Sequence, residues 1–297
     1  MTLTIAPSLE DALAALAAGA RPIAGGTDLV VGARQDKFSM PETLVAIDRL
    51  DELANIDVGD TQTSIGAGVT HARLMTDAAV VNGFTAIADA AALVGSPATR
   101  NVGTIGGNVM NGSPAMDTGA PLVVLDALAE LASTQGTRSV SMADLWLSPG
   151  TTSARPDELC TALTIPNLGE RSGSAYVRLE YRRAMEIAVV GAAAAVSLDR
   201  EGAIESVRVA LTAVAPTILE VDGMSDLTGL SVADAAKAAA DAAAEQATPI
   251  SDLRASDSYR RHTIGVMARR ALEAAARRAA GETIAVPVNR ALGIGAA

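Results

Sequence analysis

The glycine pair Gly25-Gly26 constrains the fold of this chain more than any other short stretch. An apolar segment that ends at Ala24 runs into the pair, and Thr27 and Asp28 follow before a second apolar run. This order predicts a buried strand, a tight turn and the start of a new element. Adjacent glycines accept positive φ, and the consecutive N–H groups of such a turn can bind an anion.

A second glycine pair, Gly106-Gly107, repeats the pattern. It follows Thr104-Ile105 and precedes Asn108. Two such loops predict one site that grips a pyrophosphate from both sides. Neither loop fits G-x-G-x-x-G followed by an acid about twenty residues on, and neither has the lysine of a P-loop. The pattern therefore excludes a Rossmann or Walker site.

The paired motifs Ala24–Leu29 and Thr104–Asn108 resemble those of one family, the FAD-binding medium subunits of the molybdenum hydroxylases. That family includes xanthine dehydrogenase and carbon monoxide dehydrogenase. The resemblance extends from about Leu3 to about Ala280. It is carried by the order of the two motifs in a chain of 297 residues.

The resemblance implies an α+β fold with two domains. Residues 1–168 are expected to form a PCMH-type (VAO-like) FAD-binding domain of two α/β subdomains. Residues 169–281 are expected to form a C-terminal antiparallel-sheet-plus-helices domain, like that of the carbon monoxide dehydrogenase flavoprotein. Residues 282–297 read as an extended tail.

The resemblance also implies which loop residues contact FAD. They are Ala24, Gly25, Gly26, Thr27, Asp28, Leu29, Thr104, Ile105, Gly106, Gly107 and Asn108. We expect backbone N–H groups of both loops and the two threonine hydroxyls to hold the pyrophosphate. We also expect Gly107 to need positive φ, so that Gly107→Val removes the flavin.

Four further positions match family residues near the flavin. Asp117 would bond ribose or ribitol hydroxyls, although an acid in the first turn of a helix explains it too. Val94 stands where xanthine dehydrogenase has an aromatic residue, and Cys160 stands where leucine is usual. Burial as a small apolar side chain explains Cys160 equally well. Arg178 replaces the usual lysine and keeps a cation at the pyrimidine edge of the flavin.

Composition excludes several classes of function. The formal net charge of −11 argues against nucleic acid and anionic membranes as partners. Cys160 is the only cysteine, so this chain alone holds no iron–sulfur cluster. His71 and His262 lack metal-ligand spacing. No signal pattern or apolar run of membrane-spanning length is visible, which favours a cytoplasmic protein.

The resemblance implies that the chain is the FAD-carrying electron-transfer subunit of a heterotrimeric molybdenum hydroxylase. A large subunit would carry the molybdenum cofactor, and a small subunit would carry two [2Fe–2S] clusters. The chain would pass electrons from the small subunit to an external acceptor, in a dimer of heterotrimers. One alternative is a self-sufficient flavin reductase or oxidase of the same FAD-binding superfamily. Another is an assembly subunit that has lost its flavin.

Local patterns predict the remaining elements. Ser8 caps a first helix, and Pro114–Leu128 reads as a helix with proline near its start. A domain boundary is expected near Pro166, followed by an antiparallel meander from Ser174 to Ala213. The helices Ser231–Glu245 and Asp257–Ala279 then precede the tail, and Arg269, Arg270 and Arg277 of the second helix are expected to face solvent.

Overall fold

The computed structural model describes residues 1–294. The strands are β1 Thr2–Ile5, β2 Arg21–Ile23, β3 Thr43–Ala46, β4 Ile56–Val58, β5 Gln62–Gly66, β6 Leu128–Ser133, β7 Gly136–Ser141, β8 Trp146–Ser148, β9 Thr151–Thr152, β10 Leu159–Pro166, β11 Ser172–Leu179, β12 Val190–Leu198, β13 Ile204–Thr212 and β14 Leu219–Glu220. The α-helices are α1 Leu9–Ala17, α2 Thr27–Arg34, α3 His71–Leu74, α4 Ala78–Gly83, α5 Thr85–Leu93, α6 Pro97–Val102, α7 Ile105–Asn111, α8 Gly119–Val124, α9 Met142–Leu145, α10 Val232–Gln246, α11 Asp257–Ala279 and α12 Val288–Ala291.

The first subdomain is a small parallel sheet in the order β1-β3-β2. The Ser8 hydroxyl caps α1 by accepting a hydrogen bond from Asp11 N–H at 3.1 Å, as the sequence predicts. Leu16 on α1 and Val45 on β3 are buried in a core of their own. The first glycine pair follows β2 directly, so it lies at the carboxyl end of a parallel strand, where ligands commonly bind.

The second subdomain is an antiparallel sheet in the order β4-β5-β10-β6-β7. Its core includes α5, which is buried along its length except at Thr85, because alanine side chains let neighbouring elements approach closely. The second glycine pair lies in α7, beside the end of β5. The two subdomains therefore bring the two glycine pairs to the same region of the molecule.

The C-terminal domain is the predicted antiparallel meander, with strands in the order β11-β12-β13-β14. Helices α10 and α11 cover one face, with Ile264 and Leu272 of α11 in the core. Arg269 and Arg277 are exposed and pair with Glu273 and Glu282, as a solvated helix face predicts. Beyond this domain, the chain returns to the edge of β11.

Two expectations about local structure are wrong. Only Gly119–Val124 of the predicted helix Pro114–Leu128 is helical, because the preceding residues turn so that Pro114 O accepts a hydrogen bond from Ala213 N–H at 2.8 Å. The predicted tail is not extended throughout, since it contains α12, and Val288 in α12 is fully buried. Residues 295–297 of that predicted tail lie outside the described residues.

None of the helices described within residues 1–294 is long and apolar enough to cross a bilayer.

Candidate functional site

The first glycine pair leads into a helix whose N-terminus has no cap. Gly26 is left-handed, with φ 65° and ψ 8°, and α2 begins at Thr27 without a side-chain hydrogen bond. The first N–H group to find an acceptor is that of Val30, which donates to Gly26 O at 2.9 Å. The N–H groups of Thr27, Asp28 and Leu29 are therefore open. Open N–H groups and the positive end of the helix dipole together favour an anion.

The second glycine pair is different, because its N–H groups already have acceptors. Ile105 N–H donates to Val69 O at 3.0 Å, Gly106 N–H to Ala67 O at 2.9 Å, Gly107 N–H to Thr104 Oγ1 at 3.1 Å and Asn108 N–H to Thr104 O at 3.0 Å. These N–H groups therefore have acceptors within the protein, and their contact with phosphate stays a prediction. Gly107 is also a helical residue rather than one with positive φ, since Thr104 caps α7.

The two glycine regions nevertheless face each other. A Cβ atom added to Gly25 would lie 1.9 Å from Val102 O, so the first loop packs directly on the turn between α6 and α7. Thr27 Oγ1 lies 3.6 Å from the corresponding position on Gly103. A Cβ atom on Gly107 would meet only Thr104 Oγ1, at 3.1 Å. The exposed face of Gly107 therefore leaves open space beside α7.

A buried cluster of charged and polar groups lies at the interface of the two domains. Arg178 Nη1 donates to Asp117 Oδ2 at 2.7 Å, and Arg178 Nε donates to Glu180 Oε2 at 2.8 Å. The Tyr176 hydroxyl donates to Asp117 Oδ1 at 2.8 Å. Burial alone would lower the pKa of Arg178, but the oxygens of Asp117, Tyr176 and Glu180 raise it above its ordinary value. The guanidinium therefore stays positively charged, and the carboxylates of Asp117 and Glu180 hold it in place.

One nitrogen of this guanidinium makes an ion pair but no hydrogen bond. Arg178 Nη2 lies 2.8 Å from Glu180 Oε2 as an ion pair, but it is buried without a hydrogen bond of acceptable geometry. A buried N–H group with no acceptor is costly.

The structure connects the glycine regions to this cluster. Asn108 Oδ1 accepts a 2.6 Å hydrogen bond from Thr118 Oγ1, next to Asp117. Val94, half-buried at the end of α5, accepts a 2.9 Å hydrogen bond from Arg100 at its carbonyl. Burial lowers the pKa of Arg100, and nearby Arg290 and Arg178 lower it further, so cations gather on this side.

The other candidate residues differ in how deeply they are buried. Cys160 is buried at a bulge in β10, and burial raises the pKa of its thiol to about 12, so it stays protonated. Ala24 and Leu29 are half-buried beside the first loop, and Asp28 is exposed. Ile105 is buried in the core. Contacts from these residues to a cofactor stay predictions.

His71 is a buried neutral imidazole. Burial, with a smaller effect from Arg100, lowers the pKa of His71 to about 4. Its Nδ1 atom has no hydrogen-bond partner. Among the described residues, no group of three or more His, Cys, Asp and Glu side chains could hold a metal ion.

Sequence reasoning missed several residues that shape the site. One is Tyr176, whose hydroxyl donates a hydrogen bond to Asp117. Another is Asp89, a buried carboxylate that accepts hydrogen bonds from the side chain of Arg278 and from the N–H groups of Tyr176 and Val288. Asp89 is the single charge in an otherwise apolar, alanine-rich helix, and that contrast is a signal that could have found it. Asn289 gave no comparable signal.

These features fit a cofactor with a pyrophosphate in its middle and a hydrogen-bonding ring system at one end, as FAD has. The fold and the site together define a flavin-binding subunit. Residues 1–168 match the family described as the FAD binding domain in molybdopterin dehydrogenase. Residues 175–275 match the C-terminal domain of the carbon monoxide dehydrogenase flavoprotein. The chain belongs to the FAD-binding subunits of the molybdenum hydroxylase family.

Individual relatives match over nearly their whole lengths. Subunit alpha of the 6-hydroxypseudooxynicotine dehydrogenase complex of Paenarthrobacter nicotinovorans is 34% identical, over 93% of this chain and 94% of its own. The carbon monoxide dehydrogenase medium chain of Hydrogenophaga pseudoflava is 33% identical, over 89% and 91%. The solved structure of that dehydrogenase superposes with a TM-score of 0.88 at 31% identity, covering 94% of this chain and 98% of the other.

These comparisons confirm the family, the two-domain fold class and the FAD-carrying role that the sequence predicts. They do not favour a self-sufficient flavin reductase. The chain is the FAD subunit of a molybdenum-containing dehydrogenase.

Proposed function

We propose that this chain binds FAD noncovalently, with the pyrophosphate at the N-terminus of α2. The open N–H groups of Thr27, Asp28 and Leu29 are the observation that carries this assignment. The exposed face of Gly107 and the Asn108 amide form the opposite wall. Noncovalent binding is expected because Cys160 is buried in the core and held as a protonated thiol.

The ring end of the cofactor lies, in this proposal, against the cluster of Asp117 and Arg178. Bound FAD supplies the chemistry that accepts electrons from a one-electron carrier and delivers them to an acceptor. Arg178 keeps a full positive charge beside the ring, since the oxygens of Asp117 and Glu180 hold its pKa above its ordinary value. Asp117 and Glu180 hold the guanidinium so that little reorganisation is needed when charge develops.

The proposed setting is a complex with two other subunits. A large subunit with the molybdenum cofactor would oxidise the substrate, and a small subunit with two [2Fe–2S] clusters would carry electrons to this chain. We place two heterotrimers in the complete assembly, in the cytoplasm. The external acceptor receives the electrons from the flavin.

The decisive experiment compares the purified chain with the co-expressed complex. Flavin bleaching is followed without oxygen, using N-heteroaromatic substrates first, because relatives are named for nicotine derivatives, nicotinate and xanthine. Aldehydes and carbon monoxide follow, since other relatives are named for them. The complex is expected to bleach with one of these, and the isolated chain is not.

Two results would contradict the proposal. Bleaching of the isolated chain at the rate of the complex would mean that it has its own substrate site. Flavin that stays with the polypeptide after denaturation would exclude noncovalent binding.

A further inference from the structure

The last segment that the structure describes folds back onto the site. We call residues 283–294 the C-terminal strap; it lies beyond the C-terminal family match, which ends at residue 275. Val288 and Asn289 of the strap are fully buried. Burial of both residues shows that the strap is part of the packed structure.

Asn289 holds both backbone groups of Arg178. Its Nδ2 donates to Arg178 O at 2.9 Å, and its Oδ1 accepts from Arg178 N–H at 3.1 Å. Strand β11 is at the edge of its sheet, with β12 on one side only. A buried strand edge leaves backbone groups that need partners. The side-chain carboxamide of Asn289 supplies both the acceptor and the donor that the backbone of Arg178 needs.

The strap is anchored on the other domain as well. Val288 N–H donates to Asp89 Oδ1 at 2.8 Å, and Asp89 lies on α5. Asp89 also accepts from Arg278 Nη1 at 2.6 Å and from Tyr176 N–H at 3.2 Å. The strap therefore connects α5 to β11, the strand that carries Arg178.

The side chain of Arg178 cannot be fixed by its carboxylates alone. Asp117 and Glu180 hold the guanidinium, but its position also depends on the main chain from which it extends. Glu180 follows Arg178 by two residues on the same segment, so Glu180 moves together with Arg178. Asn289 is the group outside that segment that holds the Arg178 backbone on its free edge.

We propose that Asn289 is a positioning residue, which sets the place of the Arg178 guanidinium by holding its main chain at the edge of β11. This inference rests on the proposed function, in which Arg178 faces the flavin. Arg290, the next residue in the strap, supports it, because Arg290 is close enough to Arg100 to lower the pKa of that side chain. The strap thus brings a further cation to the same side of the site.

The test uses the full chain with bound FAD and the Asn289→Ala variant. We expect the equilibrium constant for two-electron reduction of the flavin to fall about tenfold, which is about 30 mV more negative. Amide hydrogen exchange in residues 172–180 is expected to accelerate, because Arg178 N–H loses its acceptor. If Asn289→Ala does not fold, Asn289→Ser, which keeps one hydrogen-bonding group, is measured in its place.

The matched control is Asn167→Ala. Asn167 also makes two hydrogen bonds, donating to Gly59 O at 2.8 Å and accepting from Thr63 Oγ1 at 2.8 Å, on the far sheet. It is expected to lower thermal stability without moving the flavin potential. If Asn289→Ala behaves in the same way, the residue is only structural and the inference is overturned.

A double variant separates this inference from the function on which it rests. Arg178→Gln should lower the potential by itself, and adding Asn289→Ala should lower it no further, since both act through one group. An unchanged potential in Arg178→Gln would overturn the proposed role of Arg178. A shift in Arg178→Gln with none in Asn289→Ala would overturn the inference alone. Additive shifts would also overturn it.

Discussion

At the scale of single residues, the site depends on groups whose neighbours fix their protonation. Burial raises the pKa of Tyr176 well above its ordinary value, so its hydroxyl stays a donor to Asp117. Cys160 stays a thiol for the same reason. Burial instead lowers the pKa of His71, because it disfavours the imidazolium cation, and the side chain stays neutral. Each group therefore has one charge state at neutral pH.

The buried His71 predicts acid sensitivity. In the unfolded chain it binds a proton below its ordinary pKa of 6.5, whereas in the folded chain it does so only below about 4. Between these values the unfolded state binds more protons, so stability falls as the pH decreases, by roughly 3 kcal/mol over the window. Denaturant unfolding from pH 7 to pH 4 should show a shallower loss in His71→Gln. The exposed His262→Gln is the control, and an equal slope in both variants would contradict the assignment.

Gly107 predicts where the ligand lies. A Cβ atom at this position meets only Thr104 Oγ1, at 3.1 Å, and Gly107 is exposed on the side where the proposal places the ligand. We expect Gly107→Val to bind FAD at least about tenfold more weakly while unfolding near the wild-type temperature, since blocked space costs binding rather than folding. Gly83→Val, also helical and with nothing within 4 Å of its added Cβ, should keep its FAD. Full FAD content in Gly107→Val would remove α7 from the site.

At the scale of elements, close backbone approaches decide how layers pack. A Cβ atom on Gly173 of β11 would lie 2.5 Å from Ala275 O and 2.6 Å from Ala279 N, both in the backbone of α11. The alanine-rich strand β12 beside it lets α11 approach the sheet closely, and this explains how a core with 2% aromatic residues can be well packed.

We expect Gly173→Val to lower the free energy of unfolding by about 1–3 kcal/mol, because the backbone of α11 must move to make room for the valine side chain. Gly169→Val is the matched control, since its added Cβ has its nearest neighbour at 3.9 Å, in Ser172. Chemical denaturation of both variants measures the difference. Equal stabilities would show that α11 and β11 are not packed as described.

Local signals predicted some elements well and failed at others. The Ser8 cap, the meander and the full extent of α11 follow from periodicity and capping residues. The helix predicted from Pro114 failed because a contact with Ala213, far away in sequence, determines the turn. The capping role of Thr104 was also not predicted, because its hydroxyl was expected to bind phosphate. Which N–H groups are open depends on acceptors from distant segments, and one sequence does not show them.

At the scale of the whole molecule, Asp89 connects the two domains. It is fully buried in α5 and receives Arg278 of α11 at 2.6 and 3.1 Å. Arg278 also donates to Ser174 O at 2.8 Å, so one guanidinium joins three elements. The interface between the domains is thus a polar network inside an alanine-rich core. Removing one partner leaves an uncompensated buried charge.

We expect Asp89→Ala to lose about 3–5 kcal/mol of stability, because Arg278 is left buried without its carboxylate. The two domains should then unfold in separate steps, visible as two transitions by calorimetry. The control is Glu273→Ala, which removes an exposed pair with Arg269 and should cost no more than about 0.5 kcal/mol. A single transition close to that of the wild type would show that the interface does not depend on this network.

The C-terminal strap has a consequence for the order of folding. Val288 bonds Asp89 across a sequence separation of 199 residues, and Asn289 bonds Arg178 across a separation of 111. Contacts between segments this far apart form late, because the entropy of closing a long loop must be lost before they contribute. Each domain can build its own core first, since domains generally fold as units. The edge of β11 and the Asp89 network therefore close only after both domains have formed.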